Sequence, residues 1–116
     1  MLGVLTAANS VPSSNAGEST AALSAQDLAP SQCAGMGLTN IVTGTGGTVT
    51  GTAANDLILG TTGSETIRGG GGNDCMIGGS RGATRDTFQG GAGGDVCIGD
   101  GTRRDSYTSC ATIVNR

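Results

Sequence analysis

The chain has 116 residues, of which 23 are glycine, with one tyrosine, one phenylalanine and no tryptophan, so a single domain must be held with little material for a globular core. Six arginines, no lysine and nine acidic residues leave a net charge of -3, which argues against nucleic acid or an anionic membrane as partner and suits an inorganic cation. The glycines lack a three-residue period and proline occurs only twice, which excludes collagen.

Residues 1–32 are dominated by Ala, Ser, Thr and Asn, with Leu2, Val4, Leu5, Val11, Leu23 and Leu28 as scattered apolar points. By composition they form a linker or an extended N-terminal arm. Met1 to Ala8 lacks the basic flank and long apolar stretch of a secretory signal, and no apolar run approaches the roughly 20 residues that span a bilayer. Within the arm, SAQDL at 24–28 is predicted to form a helical turn with Ser24 as N-cap.

Cys33 precedes the first strand-like run, Ile41-Val42, and Thr43, Thr45, Thr48, Thr50 and Thr52 follow closely. From there an internal repeat takes over. Asp56, Glu65, Asp74, Asp86, Asp95 and Asp105 are separated by 9, 9, 12, 9 and 10 positions. Two residues after each acid stands an apolar or aromatic residue: Ile58, Ile67, Met76, Phe88, Cys97 and Tyr107. Glycine-rich stretches precede the acids, most clearly at 69–74 and 90–95. The unit is therefore turn, acid, short strand, turn. Glycine makes the tight turns, and period-two alternation in the strand points the apolar residue to the same side as the acid. Stacked units bring Ile58 to Tyr107 into one narrow file, which is expected to be the whole core. The turn before Val49 has Gly47 where the acid should be, so it is expected to contribute carbonyls only.

Four cysteines, Cys33, Cys75, Cys97 and Cys110, in a short chain with little core point to disulfides and to an oxidising, extracytoplasmic location. Without a CxxC pair or any histidine, a structural zinc site is not expected. The spacing alone leaves the connectivity open.

GGGGNDCMI at 69–77 and GGAGGDVCI at 90–98 resemble the repeats-in-toxin (RTX) nonapeptide GGxGxDxUx, over roughly residues 40 to 110. That resemblance implies an all-β fold, a right-handed parallel β-roll or β-solenoid of nonapeptide repeats spanning 33–116, with the arm at 1–32 ahead of it. In that family two nonapeptides make one turn and Ca²⁺ sits between successive turns. Carried over residue by residue, Asp56, Asp74 and Asp95 form one row and Glu65, Asp86 and Asp105 the other. The first row keeps the glycine-rich corners, and its Asp carboxylates, with turn residues such as Gly69, Gly71, Gly90 and Gly93, are expected to hold calcium between 56 and 74 and between 74 and 95. The second row departs from the pattern: a GTTGSE turn, an insertion between 78 and 86, and Arg81, Arg85, Arg103 and Arg104 beside the acids. There guanidinium groups are expected to neutralise carboxylates in place of metal. The resemblance to secreted relatives also implies the pairing Cys33 with Cys75 and Cys97 with Cys110.

The leading functional expectation is a secreted, calcium-binding structural subunit. A short stack exposes sheet edges, and two placements of the arm are expected: the segment Leu2 to Thr6 adds a strand to the edge of a neighbouring roll, a heterologous contact that builds a homo-oligomer or filament, or the arm folds back along its own roll. The alternative is a calcium-dependent folding or secretion module of a larger secreted enzyme or toxin. An ice-binding solenoid is disfavoured, because the threonines cluster in one stretch and do not recur at the repeat spacing. Catalysis is not expected either. The chain has no His or Lys, its carboxylates recur along the repeat without converging on a pocket, and GGGGND lacks the Lys-Ser/Thr of a phosphate loop.

Overall fold

A computed structural model describes residues 23–79, 84–101 and 105–115. The proposed donor segment 2–6, and Arg81, Arg103 and Arg104, lie outside the described residues. Among the described residues the fold is a parallel β-solenoid with almost no helix. Its strands are β1 (Asn40–Thr43), β2 (Gly47–Thr50), β3 (Asp56–Leu59), β4 (Glu65–Arg68), β5 (Cys75–Ile77), β6 (Thr87–Gln89), β7 (Val96–Gly99), β8 (Ser106–Thr108) and β9 (Thr112–Asn115). Odd strands form a five-stranded sheet in the order β1-β3-β5-β7-β9, and even strands a four-stranded sheet in the order β2-β4-β6-β8. Every pairing is parallel, each strand bonding to the one two places later.

The register explains why nine residues suffice for half a turn. Val42, Ile58, Met76, Cys97 and Ile113 align in one sheet, and Val49, Ile67, Phe88 and Tyr107 in the other. Between the sheets Val49, Ile58, Ile67, Met76, Phe88 and Cys97 are buried, with Val42, Tyr107 and Cys110 packed against them. Phe88 and Tyr107 stack at 5.1 Å between ring centroids. Each fully buried Ile or Phe in this file contributes about 1.5–3 kcal/mol.

This file is not the whole core. The outer face of the five-stranded sheet carries a second cluster, in which Leu57, Cys75, Val96 and Ile98 are buried together with Ala25, Cys33 and Leu38. The covering layer is α1 (Ala25–Leu28) followed by a single 3-10 turn at Ser31–Cys33. Ser24 caps α1: Asp27 N–H donates to its Oγ at 3.2 Å, and Ser24 N–H donates to Asp27 Oδ2 at 2.9 Å, a reciprocal capping box as read from SAQDL. Donation to Asp27 Oδ2 from the Ser24 N–H, and from the Ser24 hydroxyl at 2.9 Å, holds the Asp27 carboxyl below its ordinary value. Gln26 ties the layer down, donating from Nε2 to Cys33 O at 3.0 Å and accepting from Leu38 N–H at 3.0 Å. The Cys33–Cys75 disulfide fastens this layer to the sheet, and Cys97–Cys110 closes the other end inside the roll. β9 was not anticipated as a separate rung; its Ile113 sits in register with Cys97 but lacks the acid and glycine corner that mark the other repeats.

Candidate metal centre

The chemistry lies at the corners, where β3 to β8 are each entered through an acid. Parallel pairing stacks the six acids in two columns, Asp56-Asp74-Asp95 and Glu65-Asp86-Asp105. Within each column one carboxylate oxygen reaches back one turn. Asp56 N–H donates to Asp74 Oδ1 at 2.8 Å and Asp74 N–H to Asp95 Oδ1 at 2.9 Å. In the other column Glu65 N–H donates to Asp86 Oδ1 at 3.0 Å and Asp86 N–H to Asp105 Oδ1 at 2.8 Å. Asn40 begins the first column in the place of an acid, its Nδ2 donating to Asp56 Oδ1 at 3.0 Å. The aspartates are thus structural before they are anything else, since they satisfy buried backbone amides that the turn geometry leaves without partners.

The second carboxylate oxygen separates the repeats chemically. In the 51–56 turn the residue after the first glycine is Thr52, whose N–H donates to Asp56 Oδ2 at 2.6 Å and whose hydroxyl bonds both oxygens. In the 60–65 turn Thr61 does the same for Glu65, at 2.7 Å from its N–H and 2.5 Å from its hydroxyl. In the 69–74 and 90–95 turns that threonine is replaced by Gly70 and Gly91, both at positive φ (93° and 88°). Asp74 Oδ2 and Asp95 Oδ2 are consequently buried without a hydrogen-bond partner, and so is Asp86 Oδ2. Thr52 and Thr61 were missed in the sequence; the signal was present as GT against GG at the start of the turn.

Each of these orphaned oxygens faces the first glycine of its own turn. A methyl group on Gly69 would meet both Asp74 Oδ2 and Gly90 O at 2.5 Å, so the two oxygens flank one point that only a glycine leaves open. Gly90 is crowded in the same way by Asp95 Oδ2, at 2.6 Å from such a methyl, and by Ser109 O. Gly51 is likewise placed between Asp56 Oδ2 and Gly69 O. A carboxylate oxygen and a carbonyl of the next turn (Gly69 O, Gly90 O or Ser109 O) therefore converge at every corner of the first column. In the second column a methyl on Gly78 would meet Asp86 Oδ2 at 2.5 Å and the Phe88 ring at 3.1 Å, and one on Gly60 would meet Glu65 Oε1 at 2.5 Å and Ile77 O at 3.1 Å. Gly93 lies against Gly72 O across the turn, and Gly71 N–H donates to Thr52 O at 3.2 Å, so these two knit neighbouring turns together. An asparagine ladder runs alongside: Asn73 N–H donates to Asn55 Oδ1 at 2.8 Å and Gly94 N–H to Asn73 Oδ1 at 2.7 Å.

Burying acids in a row raises their proton affinity. Asp74 is pushed up to about 7, first by loss of water and then by the charges of Asp95 and Asp56, against the lowering effect of the Asp56 amide. Asp86 and Asp95 are raised as well, chiefly by burial, and Asp86 also by the charges of Asp105, Glu65 and Asp100. Among the described residues no guanidinium reaches Asp86 Oδ2, and the part expected of Arg81, Arg103 and Arg104 falls outside those residues. A cation between the turns relieves the repulsion that a proton otherwise relieves. Among the described residues no three acidic or cysteine side chains converge on one point, so a metal here takes part of its ligands from backbone carbonyls. Paired hard oxygens from carboxylates and carbonyls, at a flexible corner with no nitrogen or sulfur donor, are what calcium accepts and zinc does not. The donor set fits calcium.

Residues 50–80 and 82–102 match the family model of the RTX calcium-binding nonapeptide repeat, in four copies. The chain carries this repeat, and RTX nonapeptide repeats bind calcium ions. No match was found among curated proteins or among solved structures. No helix among the described residues is long and apolar enough to cross a membrane.

Proposed function

We infer that calcium bound at the first-column corners, with Asp74 and Asp95 as the principal carboxylate ligands, clamps successive turns and makes the roll a rigid structural subunit outside the cell. The observation that carries this reading is the pair of buried, unpartnered oxygens, Asp74 Oδ2 and Asp95 Oδ2, each set beside a carbonyl at a glycine corner. Gly69 and Gly90 clear the space, Gly90 O and Ser109 O supply neutral ligands, and Gly71 and Gly93 hold the turns in register. Asp56 takes a lesser part, because Thr52 and Asn40 already supply its oxygens with donors. In the second column Asp86 is the remaining candidate ligand, with Glu65 and Asp105 serving the backbone.

The two disulfides suit an oxidising compartment and RTX repeat proteins are typically secreted, which supports an extracellular setting. Self-association through the N-terminal segment, giving a homo-oligomer or filament, completes the proposal. Among the described residues the outermost strands β1, β9, β2 and β8 have no further strand beside them, which supports it. No catalytic role is proposed, since the buried acids are committed to backbone amides along the columns.

Calorimetric titration of the chelator-stripped protein with CaCl₂, paired with melting curves, tests the calcium reading. Saturable binding and a higher Tm in calcium than in EDTA are expected; at free calcium near 100 times Kd the gain is about 2.7 kcal/mol per site. Coincident melting curves in calcium and EDTA would remove the proposal.

A further inference from the structure

We propose that residues 2–6 of one copy fill a strand-wide gap beside β8 of the next, as an added strand of the four-stranded sheet. This rests on the self-association just described and specifies its surface. The gap follows from strand parity. The chain alternates between the two sheets and, among the described residues, begins and ends in the same one, with β1 and β9. A second copy whose β1/β2 end stacks on the β8/β9 end brings its β1 beside β9. Its β2 then stands two places from β8, and nothing among the described residues fills the one strand's width between them.

The lining of that place is apolar on its inner side. Ile113 occupies the inner-file register opposite Cys97 yet is 51% exposed, because nothing among the described residues closes the file above it. Tyr107 and the Cys97–Cys110 disulfide complete the lining. On the strand itself Ser106 N–H donates to Asp86 O at 2.9 Å and Thr108 O accepts from Gly90 N–H at 2.8 Å. Both residues therefore bond toward β6, and parallel geometry turns the N–H and C=O of Tyr107 to the vacant edge. These are the groups that strand addition requires.

The occupant is argued from its pattern. Gly3-Val4-Leu5-Thr6 repeats the type order of Gly47-Thr48-Val49-Thr50, the β2 strand of the same sheet, in glycine at the acid position, an apolar residue two places later and threonine after it. In that register Leu5 joins the inner file between Tyr107 of the receiving copy and Val49 of its own, while Ile113 meets Val42 of the incoming copy. The contact is heterologous and open, and it repeats without closing.

Two variants of the full chain test this in calcium by sedimentation velocity. Leu5→Asp spoils the donated strand, and Ile113→Glu spoils the gap at a side chain exposed enough to leave the roll folded, as circular dichroism melting checks. The wild-type chain is expected to polymerise, each variant alone to stay monomeric, and an equimolar mixture to stop at a dimer, since one intact arm and one intact gap remain between them. Polymers of Leu5→Asp alone, or a mixture that stays monomeric while the wild type polymerises, overturn the gap and leave self-association standing. A monomeric wild-type chain in calcium overturns both.

Discussion

Asp74 has two different duties at its two oxygens. Oδ1 accepts the Asp56 amide, whereas Oδ2 has no partner and lies beside Gly90 O. Glu65 has both oxygens supplied by Thr61. Asp74→Asn is therefore expected to cost about 2 kcal/mol or more in calcium, measured as a loss of Tm, while Glu65→Gln costs less than about 1 kcal/mol. In EDTA the order changes, because a neutral amide removes the repulsion from Asp95 and Asp56, and Asp74→Asn should then be no less stable than the parent. Equal losses for the two variants in calcium would undo the distinction between glycine and threonine corners. The same carboxylate sets a pH dependence of unusual sign. Its folded value of about 7 lies above the ordinary 3.8, so the metal-free folded protein holds a proton that the unfolded chain releases. The stability this provides is full below about pH 4 and is lost as pH rises toward 7. Asp86 and Asp95 are displaced in the same direction. Melting in EDTA should therefore fall between pH 4 and 7, whereas melting in calcium should rise as the ion displaces the proton. A rising curve in EDTA would contradict this account of the corner.

At the scale of the elements, the covering layer and its disulfide govern how much of the five-stranded sheet stays dry. α1 and the 3-10 turn lie over Leu57, Cys75, Val96 and Ile98, with Leu59 and Ile77 at the margin. Replacing Cys33 and Cys75 together by serine opens a loop of sequence separation 42 and should cost on the order of 4 kcal/mol. It should also raise binding of a hydrophobic dye, since the layer then lifts from apolar side chains. A double variant with unchanged Tm and dye binding would mean that packing alone holds the layer. The inner file was legible in the sequence because acid and apolar residue recur together two positions apart. The outer cluster was present there too but in alternate repeats only. Residues one and three after the acid are apolar in β3, β5 and β7 (Leu57 and Leu59, Cys75 and Ile77, Val96 and Ile98). They are polar in β4, β6 and β8 (Thr66 and Arg68, Thr87 and Gln89, Ser106 and Thr108). Averaging all repeats into one unit hides that difference, and with it the fact that one sheet needs a cover. The same averaging concealed a hydroxyl column, Thr48-Thr66-Thr87-Ser106, that does recur from strand to strand on the four-stranded sheet. The acid columns and glycine corners were legible because calcium-type turns demand particular residue types. The saturation of Asp56 and Glu65 is marked in the sequence only by GT in place of GG, and that a threonine hydroxyl returns to its own turn is set by backbone direction rather than by spacing.

For the whole molecule the consequence is a solenoid whose two sheets rest on different supports. Each turn touches only its neighbours, so stability is a sum of local stacking terms and can be lost unevenly. The five-stranded sheet is buried on its inner face by the apolar file and on its outer face by the covering layer. Among the described residues the four-stranded sheet has only the inner file, its outward residues being threonine, arginine, glutamine and serine. On the proposed binding at the first-column corners, calcium holds both through the turns that join them. With calcium removed, the charged first column is left to repel itself, and the sheet with one dry face has less to offset that cost. Hydrogen exchange in EDTA should therefore lose protection first in β4, β6 and β8, with amides of β3, β5 and β7 retained longest beneath the covering layer. Adding calcium should return the two sheets to similar protection, because the ions act between turns and each turn contains a strand of both. Exchange that rises equally in both sheets on chelation, or first in β3, β5 and β7, would show that the covering layer does not set the order in which the roll comes apart.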